Sequence, residues 1–200
     1  LPLLMLAAML APLWGSPAAY AAAHGAAGLI VCFGDSITAG YGVEPGHSYP
    51  DYLQRALDAR GYPYRVVSRG VSGSTSKDGV DRLGDILALH PAVVIVEFGG
   101  NDGLRGLPNT ATRANLDKIV GPLVAGGSKV LLAGITLPPN YGPDYIRQFN
   151  ANYQEVAAKY HVTLLPMLYA GVYTVPGTIQ EDGIHPTAKG AQMVAAHMLP

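Results

Sequence analysis

Cysteine and charge are both scarce in this sequence. Its 200 residues include a single cysteine, Cys32, so neither an intrachain disulfide nor a thiolate metal site can form. Cys32 stands between Val31 and Phe33, and we expect it to be a small buried hydrophobe rather than a nucleophile. Only 14% of the residues are charged and the formal net charge is −1, which excludes the basic footprint of a nucleic-acid-binding protein.

The motifs of several common site types are also missing. The sequence has no G-x-S-x-G turn of the ordinary α/β-hydrolases, and no P-loop, H-E-x-x-H or G-x-G-x-x-G pattern. It therefore predicts neither a nucleotide or dinucleotide cofactor nor a zinc ion. We expect a site that uses no metal and no cofactor.

The chain begins with an apolar segment that differs from the rest. Residues 3–14 are almost wholly apolar, and residues 18–23 supply small side chains of the kind found at signal-peptide cleavage sites. The apolar part is shorter than the ~20 residues of a membrane span, and a basic start is missing. We predict a secretory signal peptide over residues 1–23, truncated at its start, and a periplasmic or secreted protein without a stable membrane anchor after processing.

The remaining residues, 24–200, alternate between strand-like and helix-like segments. Strand patterns occur at 29–33, 64–68, 92–98, 129–134 and 163–165, and helical patterns at 49–60, 78–89, 110–125, 145–160 and from about 187. No linker divides them, so we expect a single domain in which helices cover both faces of a parallel sheet. With right-handed crossovers the pattern predicts an α/β fold, a three-layer α/β/α sandwich with a five-stranded parallel sheet.

Polar, glycine-rich segments follow the predicted strands. GDS at 34–36 follows the first strand, GVSGST at 70–75 the second and GGNDG at 99–103 the third, while DGIHP at 182–186 precedes the last helix. In a parallel sheet these loops open on the same edge, where α/β proteins bind their ligands. We therefore expect residues far apart in the sequence to converge there.

A serine, a histidine and a carboxylate in these loops fit nucleophilic catalysis. Ser36 leaves its strand at a sharp turn, and a serine hydroxyl needs an adjacent base to become a nucleophile. Among six histidines, His185 has Asp182 three residues before it, where a carboxylate can orient the imidazole. His47, in the loop after Ser36, stays open as an alternative base on position alone.

Acyl transfer also needs hydrogen-bond donors for the developing oxyanion. The backbone N–H groups of Ser36 and Gly73 and the side-chain amide of Asn101 are the candidates for this oxyanion hole. We interpret Asp35 and Asp102 as structural carboxylates that hold the same loops through backbone N–H groups.

These segments carry a family resemblance that covers nearly all of the chain after residue 24. GDS, Gly73, GGND and DGIHP resemble, in order and in spacing, the four sequence blocks of the SGNH (GDSL) hydrolases. The resemblance implies a flavodoxin-like sandwich in which Ser36 is the nucleophile and His185 the base, oriented by Asp182. It also implies an oxyanion hole that joins Gly73 and Asn101 to the N–H of the serine.

Two segments resemble one subfamily of these hydrolases more closely. GGNDGLRG at 99–106 and LPPNYG at 137–142 are similar to the subfamily of bacterial periplasmic thioesterase I, lysophospholipase L1 and arylesterase. That likeness implies that residues 134–142 form one wall of an acyl-binding groove and close over the acyl chain, with Leu137, Pro138 and Tyr141 as substrate-binding candidates. An ordinary proline-rich connection is the alternative.

The sequence departs from the family pattern at two positions. Ser68 stands where the family usually has asparagine, and Ser74 where aspartate often follows the oxyanion glycine. Neither position touches the expected chemistry, but both are expected to alter how their loop is held.

Residues and resemblance together predict a serine esterase that hydrolyses carboxylic esters and thioesters through an acyl-enzyme on Ser36. Its partner would be a small acyl ester or thioester of the arylesterase, acyl-CoA thioesterase or lysophospholipase type, and we expect a monomer that binds no nucleic acid. Two alternatives stay open: a carbohydrate O-acetylesterase of the same family, and a non-catalytic module that binds lipid or glycan.

Overall fold

A computed structural model describes residues 28–199 of the chain. The strands are β1 (Gly28–Gly34), β2 (Tyr64–Gly70), β3 (Val93–Glu97), β4 (Lys129–Ala133) and β5 (Thr163–Leu165). The helices are α1 (Ser36–Ala39), α2 (Tyr49–Ala59), α3 (Ser76–Leu87), α4 (Gly100–Leu104), α5 (Asn109–Ala125), α6 (Pro143–Tyr160) and α7 (Ala188–His197), with a 3₁₀ turn at Pro139–Tyr141. The predicted signal peptide, residues 1–23, lies outside the described residues.

All five strands run parallel in one sheet, in the order β2-β1-β3-β4-β5. β1 pairs with β2 on one side and with β3 on the other, so the strand order in the sheet reverses at β1. In open α/β sheets the ligand crevice lies at the carboxyl ends of the strands next to such a reversal. Here that position is the end of β1 and β3.

Helices cover both faces of the sheet. α2 packs against α7, while α5 packs against α3 and α6. Val31, Cys32 and Phe33 of β1 are fully buried, as a strand covered on both faces requires. The full burial of Cys32 confirms this residue as a buried hydrophobe, and it raises the pKa of the thiol to about 12. The predicted three-layer α/β/α sandwich is confirmed.

The strands and the longer helices begin and end within two residues of their predicted positions. Capping boxes explain two of the helix starts: Ser48 pairs with Asp51 before α2, and Thr75 pairs with Asp78 before α3. The prediction of a loop at residues 99–103 was wrong, because α4 begins there in a chain segment too short to show helical periodicity. Within residues 28–199, no helix is both long enough and apolar enough to cross a membrane.

Candidate active site

Ser36 begins α1 directly after β1, at the reversal point of the sheet. Asp35 caps this helix, because its Oδ1 accepts the N–H of Ile37 at 3.0 Å. Ser36 is only 8% exposed, and it lines the cleft at the carboxyl edge of the strands. The local fold therefore presents the serine to a cleft rather than to the open surface.

His185 and Asp182 lie in line with this serine. His185 Nε2 is 2.8 Å from Ser36 Oγ, and His185 Nδ1 is 2.6 Å from Asp182 Oδ2. Because a carboxylate only accepts hydrogen bonds, Nδ1 carries the proton and Nε2 is left to accept from the serine hydroxyl. The structure thus brings together the three side chains that the sequence singled out. Ser36 and His185, which are in contact, are 149 residues apart in the sequence.

The charge of Asp182 is set by its partners. Its Oδ1 accepts the backbone N–H groups of Ile184 and His185, and Oδ2 faces the imidazole. Burial acts to raise the pKa of Asp182, but these hydrogen bonds outweigh it and lower that pKa to about 2. The carboxylate is therefore ionised at neutral pH, where it can stabilise an imidazolium.

Asn101 in α4 and Gly73 in the loop after β2 line the same cleft as Ser36. Gly73 has φ of 80°, in the left-handed region that favours glycine. Asn101 Nδ2 donates to Asp35 Oδ2 and to the carbonyl of Ser74, each at 3.0 Å. Both hydrogens of this amide have protein acceptors, so a substrate oxygen would have to share one of them.

The predicted structural carboxylates do hold the site loops. Asp35 accepts a backbone N–H at the start of α1. Asp102 Oδ2 accepts the N–H of Ser76 at 2.8 Å, and Asp102 Oδ1 accepts the hydroxyls of Ser76 and Thr112. Both interpretations are confirmed. In the described part of the chain, no group of three or more His, Cys, Asp or Glu side chains is placed to hold a metal ion.

The two positions that depart from the family pattern also secure these loops. Ser68 Oγ donates to the carbonyl of Thr38 in α1 at 3.0 Å. Arg82 donates to Ser74 Oγ at 3.3 Å and to the carbonyl of Gly34 at 3.2 Å. Ser68 and Ser74 therefore connect the second-strand loop to the segment that carries Ser36.

The cleft beside Ser36 has a volume of about 260 Å³ and mainly apolar walls. Its apolar lining includes Leu104, Ile135, Leu137, Pro138 and Ile184, with Tyr41 and Tyr173. Tyr141 does not line it; its hydroxyl donates to the carbonyl of Leu104 at 2.8 Å and so contacts the wall instead.

His47, the alternative base, lies elsewhere. Its ring pairs with that of Tyr52 at a centroid distance of 6.1 Å, and it lines a separate surface depression together with Gln180. The structure places His185, not His47, against the serine hydroxyl.

Sequence reasoning missed three residues around the site. Gln180 Nε2 donates to the carbonyls of Tyr41 and Pro186 at 2.8 and 2.9 Å, which ties the loop after α1 to the loop of His185. The ring of Tyr41 packs on His185 at a centroid distance of 4.6 Å. Glu97 lies buried at the end of β3. A lone carboxylate in an otherwise apolar strand was the available signal for Glu97, whereas no pattern marks Gln180.

Comparison with known proteins supports one family. Residues 32–193 match the GDSL-like Lipase/Acylhydrolase family. The chain is 43% identical over 176 residues to Esterase TesA of Pseudomonas aeruginosa, covering 88% of each protein. It is 37% identical over 174 residues to Thioesterase 1/protease 1/lysophospholipase L1 of Escherichia coli K12, covering 86% of this chain and 82% of that protein. A crystal structure of TesA matches with a TM-score of 0.82 at 42% identity, covering 85% of this chain and 95% of that one.

Proposed function

Because the chain belongs to the GDSL-like lipase/acylhydrolase family and is an ester hydrolase of the SGNH type, we propose that it cleaves carboxylic esters and thioesters through an acyl-enzyme on Ser36. The observation that carries this proposal is the 2.8 Å contact between His185 Nε2 and Ser36 Oγ. That contact, with the carboxylate of Asp182 on the far side of the imidazole, is the geometry of an activated serine.

The chemistry proceeds in two halves. Ser36 Oγ attacks the acyl carbon while its proton passes to His185 Nε2, and the imidazolium then gives that proton to the departing alcohol or thiol. A water molecule next attacks the acyl-serine with His185 as its base, which releases the acid and restores the serine hydroxyl. Asp182 stays ionised throughout, holds the Nδ1–H tautomer and stabilises the imidazolium.

The tetrahedral oxygen is stabilised by the N–H groups of Ser36 and Gly73 and by the amide of Asn101. The Asn101 amide is held by Asp35 and by the Ser74 carbonyl, so its direction is fixed before substrate arrives. Removal of one preorganised donor from an oxyanion hole typically lowers kcat by about 10²–10³.

The cleft favours acyl groups longer than acetyl. Its volume is about 260 Å³, and most of its lining is apolar. An acetyl group fills only a small part of that space. Leu137 and Pro138 supply one apolar wall for the remaining chain.

Kinetics of Ser36→Ala on aryl esters test the proposal directly. We expect kcat to fall by several orders of magnitude with the fold intact, and an organophosphonate probe to label the parent protein but not the variant. Activity of the variant within tenfold of the parent would refute the acyl-enzyme. Failure of the probe to label the parent would favour a non-catalytic lipid- or glycan-binding module.

An acyl-length series separates this function from that of a carbohydrate O-acetylesterase. We expect octanoyl aryl esters to be cleaved with a higher kcat/KM than acetyl esters, because more of the cleft wall is then in contact. Strict preference for acetyl would instead support the acetylesterase.

We also propose that the protein is exported and monomeric. Export is supported by the apolar and small residues at 3–14 and 18–23. Cell fractionation with amino-terminal sequencing of the mature protein tests export, and sedimentation tests the oligomeric state.

A further inference from the structure

A second carboxyl group lies buried beneath the candidate nucleophile, at the end of β3. Glu97 is 1% exposed, and its Oε2 accepts the hydroxyl of Thr38 at 2.8 Å and the N–H of Asp35 at 3.3 Å. Thr38 is itself in contact with the Tyr49 hydroxyl at 3.0 Å. Glu97 is therefore connected to both ends of the short segment that carries Ser36.

The other oxygen of Glu97 presents a difficulty for an ionised side chain. Among the described residues, none donates a hydrogen bond to Glu97 Oε1, although this atom is buried. A buried carboxylate oxygen without a donor is costly, because it has lost water and gained nothing in exchange. A neutral carboxylic acid removes this cost, since it becomes a donor and needs an acceptor.

Asp35 provides that acceptor. The Asp35 N–H lies 3.3 Å from Glu97 Oε2, which brings the two residues together, and their side chains share a hydrogen bond that two ionised carboxylates cannot form. Burial, followed by repulsion from Asp35, raises the pKa of Glu97 well above its usual range. Burial raises the pKa of Asp35 as well, but Asp35 is the better anion of the two, because the N–H of Ile37 and the amide of Asn101 both donate to it.

The remaining titratable groups near Glu97 do not favour its ionisation. From the surrounding elements, Tyr49, Tyr153 and Tyr169 interact with it electrostatically. A tyrosine is either neutral or negatively charged, so none of these three can compensate a second negative charge beside Asp35.

We propose that Glu97 is a positioning residue of the hydrolytic site, a neutral carboxylic acid that donates a hydrogen bond to the Asp35 carboxylate and thereby fixes α1 and the Asn101 amide together. The inference rests on the proposed roles of Ser36 and Asn101. Asp35 is the junction: one oxygen caps the helix that begins at Ser36, and the other orients the Asn101 amide. A proton on Glu97 also keeps the charge behind the oxyanion hole at one unit rather than two.

Two variants of similar size separate this role from simple space filling. Glu97→Gln keeps a donor group, whereas Glu97→Met keeps the volume without one. We expect kcat of Glu97→Gln to stay within about threefold of the parent. Glu97→Met should lose up to about 100-fold in kcat with little change in KM, because a displaced catalytic group can cost that much. Equal losses in both variants would overturn the proposal, as would full activity in Glu97→Met.

Infrared difference spectroscopy tests the proton without reference to catalysis. At neutral pH, the parent minus Glu97→Gln spectrum should contain the carbonyl stretch of a protonated carboxylic acid. A carboxylate band in its place would show that Glu97 is ionised and would overturn the proposal. Because this readout does not depend on turnover, its failure is distinguishable from failure of Ser36→Ala to abolish activity, which would overturn the proposed function instead.

Discussion

Replacing Asp182 by asparagine should reverse the direction of the hydrogen bond to the candidate nucleophile. Asp182 Oδ1 accepts two backbone N–H groups, those of Ile184 and His185, at 2.9 and 3.0 Å. In Asp182→Asn the amide oxygen must stay at that position, because an NH₂ group cannot face two donors. The amide nitrogen is therefore forced toward His185 Nδ1, which then has to accept, so that Nε2 carries the proton and points it at Ser36.

The size of the effect follows from this change of tautomer. An imidazole that donates to the serine hydroxyl cannot remove its proton. The corresponding asparagine substitution in a serine protease lowers kcat by about 10⁴. We expect a loss of the same order here, which corresponds to about 5 kcal/mol of transition-state stabilisation.

Steady-state hydrolysis of a medium-chain aryl ester is the assay, with Tm measured alongside. Tm of Asp182→Asn should fall only slightly, because both loop hydrogen bonds to Oδ1 are retained and the charge that is lost belongs to a side chain that is 37% exposed. Asp144→Asn is the matched control, since this carboxylate is 79% exposed and pairs only with Arg147 at the surface in the described structure. Retention of more than a tenth of the parent kcat in Asp182→Asn, with the fold retained, would refute the assigned tautomer.

Four further outcomes are expected. Asn101→Ala should lose about 10²–10³ in kcat on the same ester, with KM little changed; an unaltered kcat would remove Asn101 from the oxyanion hole. Gly70→Ala should lower the free energy of unfolding by about 1–3 kcal/mol in urea titrations, because its Cβ would lie 2.2 Å from the backbone nitrogen of Ala39 in α1. Cys32 should react with a thiol reagent only after denaturation, since burial raises its pKa to about 12; rapid labelling of the native protein would contradict its burial. Because the folded-state pKa of Asp182 is lowered to about 2, its stabilising effect is complete above the unfolded value near 4 and is lost as the pH falls toward 2; the slope of stability against pH should therefore differ between parent and Asp182→Asn only in that window, and identical slopes there would contradict the lowered pKa.

The residues at the centre of the candidate site could be predicted from the sequence. Ser36, Asp182, His185, Gly73 and Asn101 could be selected because the carboxyl ends of parallel strands meet at one edge, whichever strand comes first along the chain. The structure brings these residues to one cleft. Their catalytic roles stay predictions until the variants are measured.

The residues that support this site could not be predicted from the sequence in the same way. Gln180 joins two carbonyls whose separation depends on the packing of the loop after α1 against the loop before α7. Tyr141 was expected to line the groove, but the 3₁₀ turn directs its hydroxyl to the Leu104 carbonyl. The partner of a side chain in a distant segment depends on how the loops and helices pack together, and no local sequence pattern predicts that packing.

Hydrophobic periodicity and turn residues act locally, so they were enough to predict the order of strands and helices along the chain, the sheet edge and the polar groups that reach it. Packing of the whole fold was needed to show which imidazole meets the serine, and that a buried Glu97 lies against Asp35. Both depend on distances between segments up to 149 residues apart, and such distances are set when side chains from different elements fill one common interior.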